Sequence, residues 1–238
     1  MRRRDLPARA ASAGIAFLAV LIAAGPACGP GRPSATTVQP AVDIAAIQRE
    51  VVEKLAGAAE IAPGLKLPNR FSPENKAAAR TYLAAIWTEL GLEVQKQAYS
   101  AEGQNIYAIV KAAPSPAANA DPEEYVILGA HYDSVRNGPG ANDNATGAAL
   151  VTAVAAEILG TEPRARNFIF ILFDEEERGM RGSRAFAQKV KDDGLKIHSA
   201  HTADQVGWDA DKDRAVELEI PYEGALALYD AQAKTMTP

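Results

Sequence analysis

The sequence predicts an α/β fold, a three-layer helix-sheet-helix arrangement around a mostly parallel, mixed central sheet. Residues 125–129 and 167–173 are short, continuous apolar runs, the pattern of strands covered on both faces. Between them residues 146–159 are Ala-rich and long enough for a helix, so strand, loop, helix and strand follow one another as in a right-handed crossover between parallel strands. Upstream, residues 92–98 and 105–111 read as a pair of strands, which makes the sheet mixed.

Taken in order, residues 1–28 read as an export signal. Arg2, Arg3 and Arg4 form a basic start, residues 15–24 are apolar, and Gly25, Pro26, Ala27 and Cys28 end the segment on small residues. The stretch is short for a membrane span. Cys28 is the only cysteine of the 238 residues and stands where a bacterial lipoprotein carries its acylated residue. The expectation is an exported protein, either a periplasmic or cell-envelope lipoprotein anchored through Cys28 or a cleaved and secreted one. Residues 29–42, rich in Pro, Gly, Ser and Thr, read as a disordered tether, and residues 43–238 as one domain.

Ile44, Ile47, Val51, Val52 and Leu55 recur at helical spacing over residues 43–59. Ser72 followed by Pro73 opens a second helix with a cap and a first-turn proline, and Gly91 stops it. A polar loop at 114–122 precedes the first apolar strand. After the second apolar strand the expected elements are a helix at 183–191, a short strand at 199–206, a strand at 214–220 and a helix at 223–233. Removal of the first 27 residues leaves 21 basic against 29 acidic residues, about −8, which excludes nucleic acid as a partner.

The chemistry gathers at the ends of the two apolar strands. His131 follows Gly129 and Ala130, and its imidazole can offer a neutral nitrogen to a divalent metal while Asp133 takes the other ring N–H. Asp143 lies in the Ala141-Asn142-Asp143-Asn144 turn ahead of a helix. It suits either a helix cap or a carboxylate bridging two cations about 3.5–4 Å apart. Asn144-Ala145-Thr146 matches a glycosylation sequon, a reading that its place among these residues disfavours. Asp174, Glu175, Glu176 and Glu177 crowd four carboxylates onto one strand end, and that repulsion requires cations, either metals or Arg178, Arg181 and Arg184. Asp209, Asp211 and Asp213 imitate the start of a calcium loop, but Arg214 and Ile220 stand where its Gly and closing Glu are needed. His198 and His201 offer further nitrogens; strand alternation sets His201 on the face opposite Asp204 and makes it structural.

These motifs resemble the co-catalytic zinc exopeptidases of peptidase family M twenty-eight, of the bacterial leucyl aminopeptidase and aminopeptidase Y type. Specific motifs extend from Gly129 to Gly207. The resemblance implies a zinc exopeptidase-like fold and a site of two zinc ions. In it His131, Asp143, Glu177 and Asp204 are metal ligands, Asp143 bridges, Asp133 orients His131, and Glu176 is the general base. Asp133 and Glu176 are thus the catalytic pair, Glu175 an extra carboxylate. Peptides are the implied substrates, cleaved at their N-terminal residue by a water that the zinc pair acidifies. Carboxypeptidases and one-zinc glutaminyl cyclases share the resemblance, and the bridging turn favours hydrolysis. A reading of another class is a binding protein on a peptidase fold, with the acidic residues as leftovers. The family closes its second zinc with a histidine well downstream of Asp204, and none follows His201 here. The domain is therefore expected to continue past Pro238.

Overall fold

The computed structural model describes residues 42–114 and 121–207. The expected export signal and tether at 1–42, except residue 42 itself, the strand at 214–220, the helix at 223–233 and the Asp209–Asp213 segment lie outside the described residues, as does most of the polar loop at 114–122.

Helix α1 is Ile44–Leu55, opened by the Asp43 carboxylate, which accepts from the backbone N–H of Ala46 at 3.0 Å. It ends four residues earlier than its apolar spacing suggested, where Gly57 takes a positive φ of 72°. Helix α2, Pro73–Glu89, is capped by Ser72 and stopped by Gly91. Strands β1, Val94–Ala98, and β2, Gln104–Val110, form an antiparallel pair. Strand β3 is Glu124–His131, helix α3 Gly147–Gly160, strand β4 Asn167–Phe173, helix α4 Arg181–Asp192 and strand β5 Lys196–Thr202.

The sheet order is β1-β2-β4-β3-β5. β2 runs antiparallel to β4, while β3 is parallel to both β4 and β5, so the sheet is mixed as expected. Side-chain alternation divides its residues between two cores. Ile106, Ala108, Val110, Ala130, Phe170 and Leu172 face one core with α1, α2 and α3, which contribute Leu55, Leu83, Trp87 and Val151. Tyr107, Ile127, Ile169, Ile171 and Phe173 face the other, closed by Phe186 of α4. Three layers result, and the β3–α3–β4 crossover brings the carboxyl ends of β3 and β4 side by side, with His131 opposite Phe173.

Two boundaries differ from expectation where the site lies. β3 extends two residues further, so His131 is its last residue rather than one beyond its end. β5 begins and ends earlier than expected, so Asp204 stands two residues beyond it and strand alternation does not govern its direction.

Candidate metal centre

His131 is 4% exposed, and its two ring nitrogens face different partners. Nδ1 lies 3.2 Å from the backbone carbonyl of Asp133 and 3.4 Å from its carboxylate, which suits a ring N–H at Nδ1. Nε2 points at acids: Asp143 Oδ1 is 3.1 Å away, Asp204 Oδ1 3.6 Å and Glu176 Oε2 3.9 Å. None of them makes a hydrogen bond with Nε2, which is buried without a partner among the described residues. The carboxylates hold the imidazole pKa up at about 10, although burial, the largest single influence, acts to lower it.

Asp133 performs a second task. Its two carboxylate oxygens accept the backbone N–H groups of Glu176 and Glu177, at 3.0 and 3.2 Å, so one buried carboxylate orients His131 and also fixes the turn after β4. Glu176 is partly open, and burial and neighbouring acids raise its carboxyl pKa while His131 pulls it down. Glu177 is likewise raised by burial and then by Asp143, and its Oε1 is buried with no hydrogen-bond partner among the described residues.

The Asp143 turn, Ala141–Thr146, is not a regular helix. Asp143 and Asn144 have non-helical dihedrals, and the peptide between them is cis. Asn144 holds this shape from within: its Oδ1 accepts the N–H of Gly147 and its Nδ2 donates to the carbonyl of Ala203, both at 2.8–2.9 Å. Asn142 accepts the N–H of Gly207. The two asparagines thereby bring the segment carrying Asp204 against the turn carrying Asp143.

The predicted residues therefore divide as follows. Ligand atoms of His131, Asp143 and Asp204 lie within 4.8 Å of one another, a spacing that one cation could span. Glu176 and Asp133 adjoin His131, while Glu177 stands outside that group of three and within the field of Asp143. His198 pairs with Glu124 at 3.2 Å and His201 meets Ser199 at 3.1 Å, so neither joins the centre. The donor set suits a divalent ion, because an imidazole nitrogen, buried and without a hydrogen bond, faces only oxygen acceptors.

The run of four acids does not act as one cluster. Asp174 and Glu175 are 0% and 2% exposed and turn inward, where Lys76, 1% exposed, lies 3.1 Å from the first and 3.2 Å from the second. Arg80 approaches Asp174 and Arg178 approaches Glu175. Burial still raises the Asp174 pKa against the pull of Lys76. Protein cations thus neutralise these two acids, and only Glu176 and Glu177 remain on the side of His131. Arg178 and Arg181, 3.3 and 3.7 Å from Glu175, answer the expectation of nearby arginines; Lys76 and Arg80 were not anticipated. Lys76 had a signal, because it shares the buried stripe of α2 with Ala79, Leu83 and Ile86.

The comparisons with known proteins give the family and the fold. The sequence model of Peptidase family M28 matches residues 105–233, more than half of the chain. The "Probable lipoprotein aminopeptidase LpqL" of Mycobacterium tuberculosis is 43% identical over 72 residues, 30% of this chain and 14% of that protein. Aminopeptidase YwaD of Bacillus subtilis is 35% identical over 118 residues, 49% of this chain and 24% of that protein. The matched region thus spans a quarter or less of either relative. Among solved structures, LapB of Legionella pneumophila aligns with a TM-score of 0.58 at 19% identity, over 81% of this chain and 52% of that one. A glutaminyl cyclase from an Acidobacteriales bacterium aligns at 0.53 and 20%, over 74% and 64%. At such identities the structures speak for the fold alone. It is the extended family match, laid over the segments that carry His131, Asp143, Glu176 and Asp204, that places the chain in peptidase family M28.

Proposed function

We propose that this chain belongs to an exported zinc aminopeptidase that hydrolyses N-terminal residues from peptides at a two-zinc site. The observation that carries the reading is the orphaned Nε2 of His131 among the carboxylates of Asp143, Asp204 and Glu176. His131 and Asp204 would hold one ion, Glu177 the other, and Asp143 would reach both. Bound zinc would supply an acidified water and polarise the scissile carbonyl.

The chain's own residues do the rest. Glu176, next to the ligands but partly exposed, takes the proton of the attacking water and returns it to the leaving amine. Asp133 keeps His131 in the tautomer that presents Nε2 and holds the Glu176 and Glu177 backbone in place. Acidic residues around the centre attract the free α-amino group of a peptide, which supports cleavage from the N-terminus. The names of the relatives above support an aminopeptidase, and that of LpqL agrees with export and lipidation at Cys28.

The test is metal content together with hydrolysis of aminoacyl chromogenic amides, on this chain and on a form carried to the natural stop codon, each beside Glu176→Gln. A parallel assay offers an N-terminal glutaminyl peptide. Two metals and Glu176-dependent amide hydrolysis are expected in the form carried to the natural stop codon. Cyclisation of the glutaminyl peptide without amide hydrolysis would replace the reading by a cyclase, and no paired metal with no turnover by a binding protein. Loss of membrane association in Cys28→Ala checks the anchor.

A further inference from the structure

His131 and Asp143 stand on segments that leave the core separately, one at the end of β3 and the other at the start of α3. The sheet ladder does not fix their separation. The N–H of Tyr132 continues the ladder to Phe173, and the Asp143 turn is bonded to residues 203–207. Between the two segments lies Arg70, whose side chain is 0% exposed.

The Arg70 guanidinium spends its donors on backbone carbonyls of both segments. Nε donates to Tyr132 at 2.6 Å, Nη1 to Pro139 and to Leu55 at 2.7 Å, and Nη2 to Gly140 at 2.9 Å. Tyr132 is the neighbour of His131 and Asp133, and Gly140 opens the turn that carries Asp143. The main chain of Arg70 is fixed as well: its N–H donates to Ser134 Oγ at 2.9 Å, and its carbonyl accepts the N–H of Ser134 at 3.3 Å.

A planar fork of five donors can span carbonyls on three segments at fixed angles; an ammonium with three donors at one point cannot. Among the described residues no carboxylate lies within ion-pair distance of Arg70, yet its charge is felt by Asp133, Asp143 and Glu177, all members of the centre. Burial of a full charge without a contacting counterion is costly, and a neutral core residue would close the fold without it. What the cation adds is a fixed gauge between the ligand segments, with a compensating charge behind their acids.

We propose that Arg70 is a positioning residue that sets the separation of His131 from Asp143, and through it the zinc affinity of the centre. The proposal rests on the metal-centre reading. Its test compares wild type, Arg70→Lys, Ser134→Ala and Thr152→Val in protein carried to the natural stop codon. Thr152 accepts from Trp87 Nε1 in the core beneath α3, away from the centre, and its loss serves as a purely structural control. Zinc affinity is measured by competition with a chromogenic chelator, the visible spectrum after cobalt substitution, and stability by thermal unfolding.

Arg70→Lys is expected to weaken zinc binding about tenfold or more and to change the cobalt bands. Ser134→Ala, which keeps the guanidinium and frees its backbone, should show a smaller change of the same sign and stands in if Arg70→Lys does not fold. Thr152→Val should lose stability with zinc affinity and spectrum intact. Wild-type affinity and spectrum in folded Arg70→Lys, or in Ser134→Ala where that alone folds, overturn the proposal while the metal reading stands. Failure of wild type to take up zinc overturns both.

Discussion

Replacement of Lys76 by Met tests the division of the acidic run. Met preserves the length and volume of the side chain but removes the cation that lies 3.1 Å from Asp174 and 3.2 Å from Glu175. All three groups are almost fully buried, so solvent screening does not soften the loss. Loss of one partner from a buried pair costs about 3–5 kcal/mol. Arg80 at 3.6 Å from Asp174, and Arg178 and Arg181 at 3.3 and 3.7 Å from Glu175, remain to compensate, which puts the expected cost at the lower end, about 3 kcal/mol. For a domain of this size that corresponds to a fall in Tm of roughly 6–12 °C.

The loss should also depend on pH. Burial lifts the Asp174 pKa above its ordinary value in the folded chain, so the folded state binds more protons than the unfolded state between the two values. Stability from such a group is fully present below the unfolded carboxylate range and is lost as pH rises through the folded value. Without Lys76 the lift increases, and the deficit of the variant should widen between about pH 4 and neutrality. Thermal unfolding of both proteins at several pH values, with a chelator present to remove metal linkage, reads this directly. A deficit below about 1 kcal/mol, or one that shrinks as pH rises, would refute the assignment of Lys76 as the counterion.

Three further outcomes are expected. Glu176→Gln should retain metal and lose roughly 10²- to 10⁴-fold in kcat on aminoacyl amides, checked by metal analysis beside steady-state kinetics. Asp133→Asn should weaken metal affinity or activity by about 10- to 100-fold, since one oxygen of the acid that orients His131 and accepts two backbone N–H groups becomes a donor; isothermal titration with zinc measures it. Gly140→Ala should destabilise by about 1–3 kcal/mol in thermal unfolding, because Gly140 has φ of 62° and a Cβ there would stand 2.5 Å from Arg70 Nη2 and from the Asp143 carbonyl.

The crossover at the heart of the fold was legible because residues 125–129 and 167–173 are apolar on both faces, and such runs have one use in an α/β protein. The strand ends alone pointed to His131 and to the acids after residue 173, because parallel strands deliver their carboxyl ends to one edge; the grouping of Asp143 and Asp204 with His131 came from the resemblance, since Asp143 lies in a turn and Asp204 was expected within a strand. β5 was misplaced by three residues at its start, since Lys196, His198 and Ser199 alternate between exposed and half-buried positions and carry no apolar signature. Arg70 and Lys76 escaped notice for the opposite reason. Cations in loops and first helical turns are usually solvated; Lys76 alone carried a counter-signal, its place on the apolar stripe of α2, while only tertiary packing buries Arg70. The irregular dihedrals at Asp143 and Asn144 have no local sequence rule either; they depend on Asn144 finding Ala203, 59 residues away.

The placement of His131, Asp143 and Asp204 also sets a schedule. His131 ends β3, while Asp204 arrives only after β4, α4 and β5 have been made and β5 has aligned beside β3. A chain still emerging, or one passing through a translocation channel unfolded, holds these groups far apart and offers a zinc ion no common site. Non-local parallel pairing is slow to form, so an ion that needs all three groups finds them together no earlier than the pairing of β5 with β3, and its binding is tied to that step of folding.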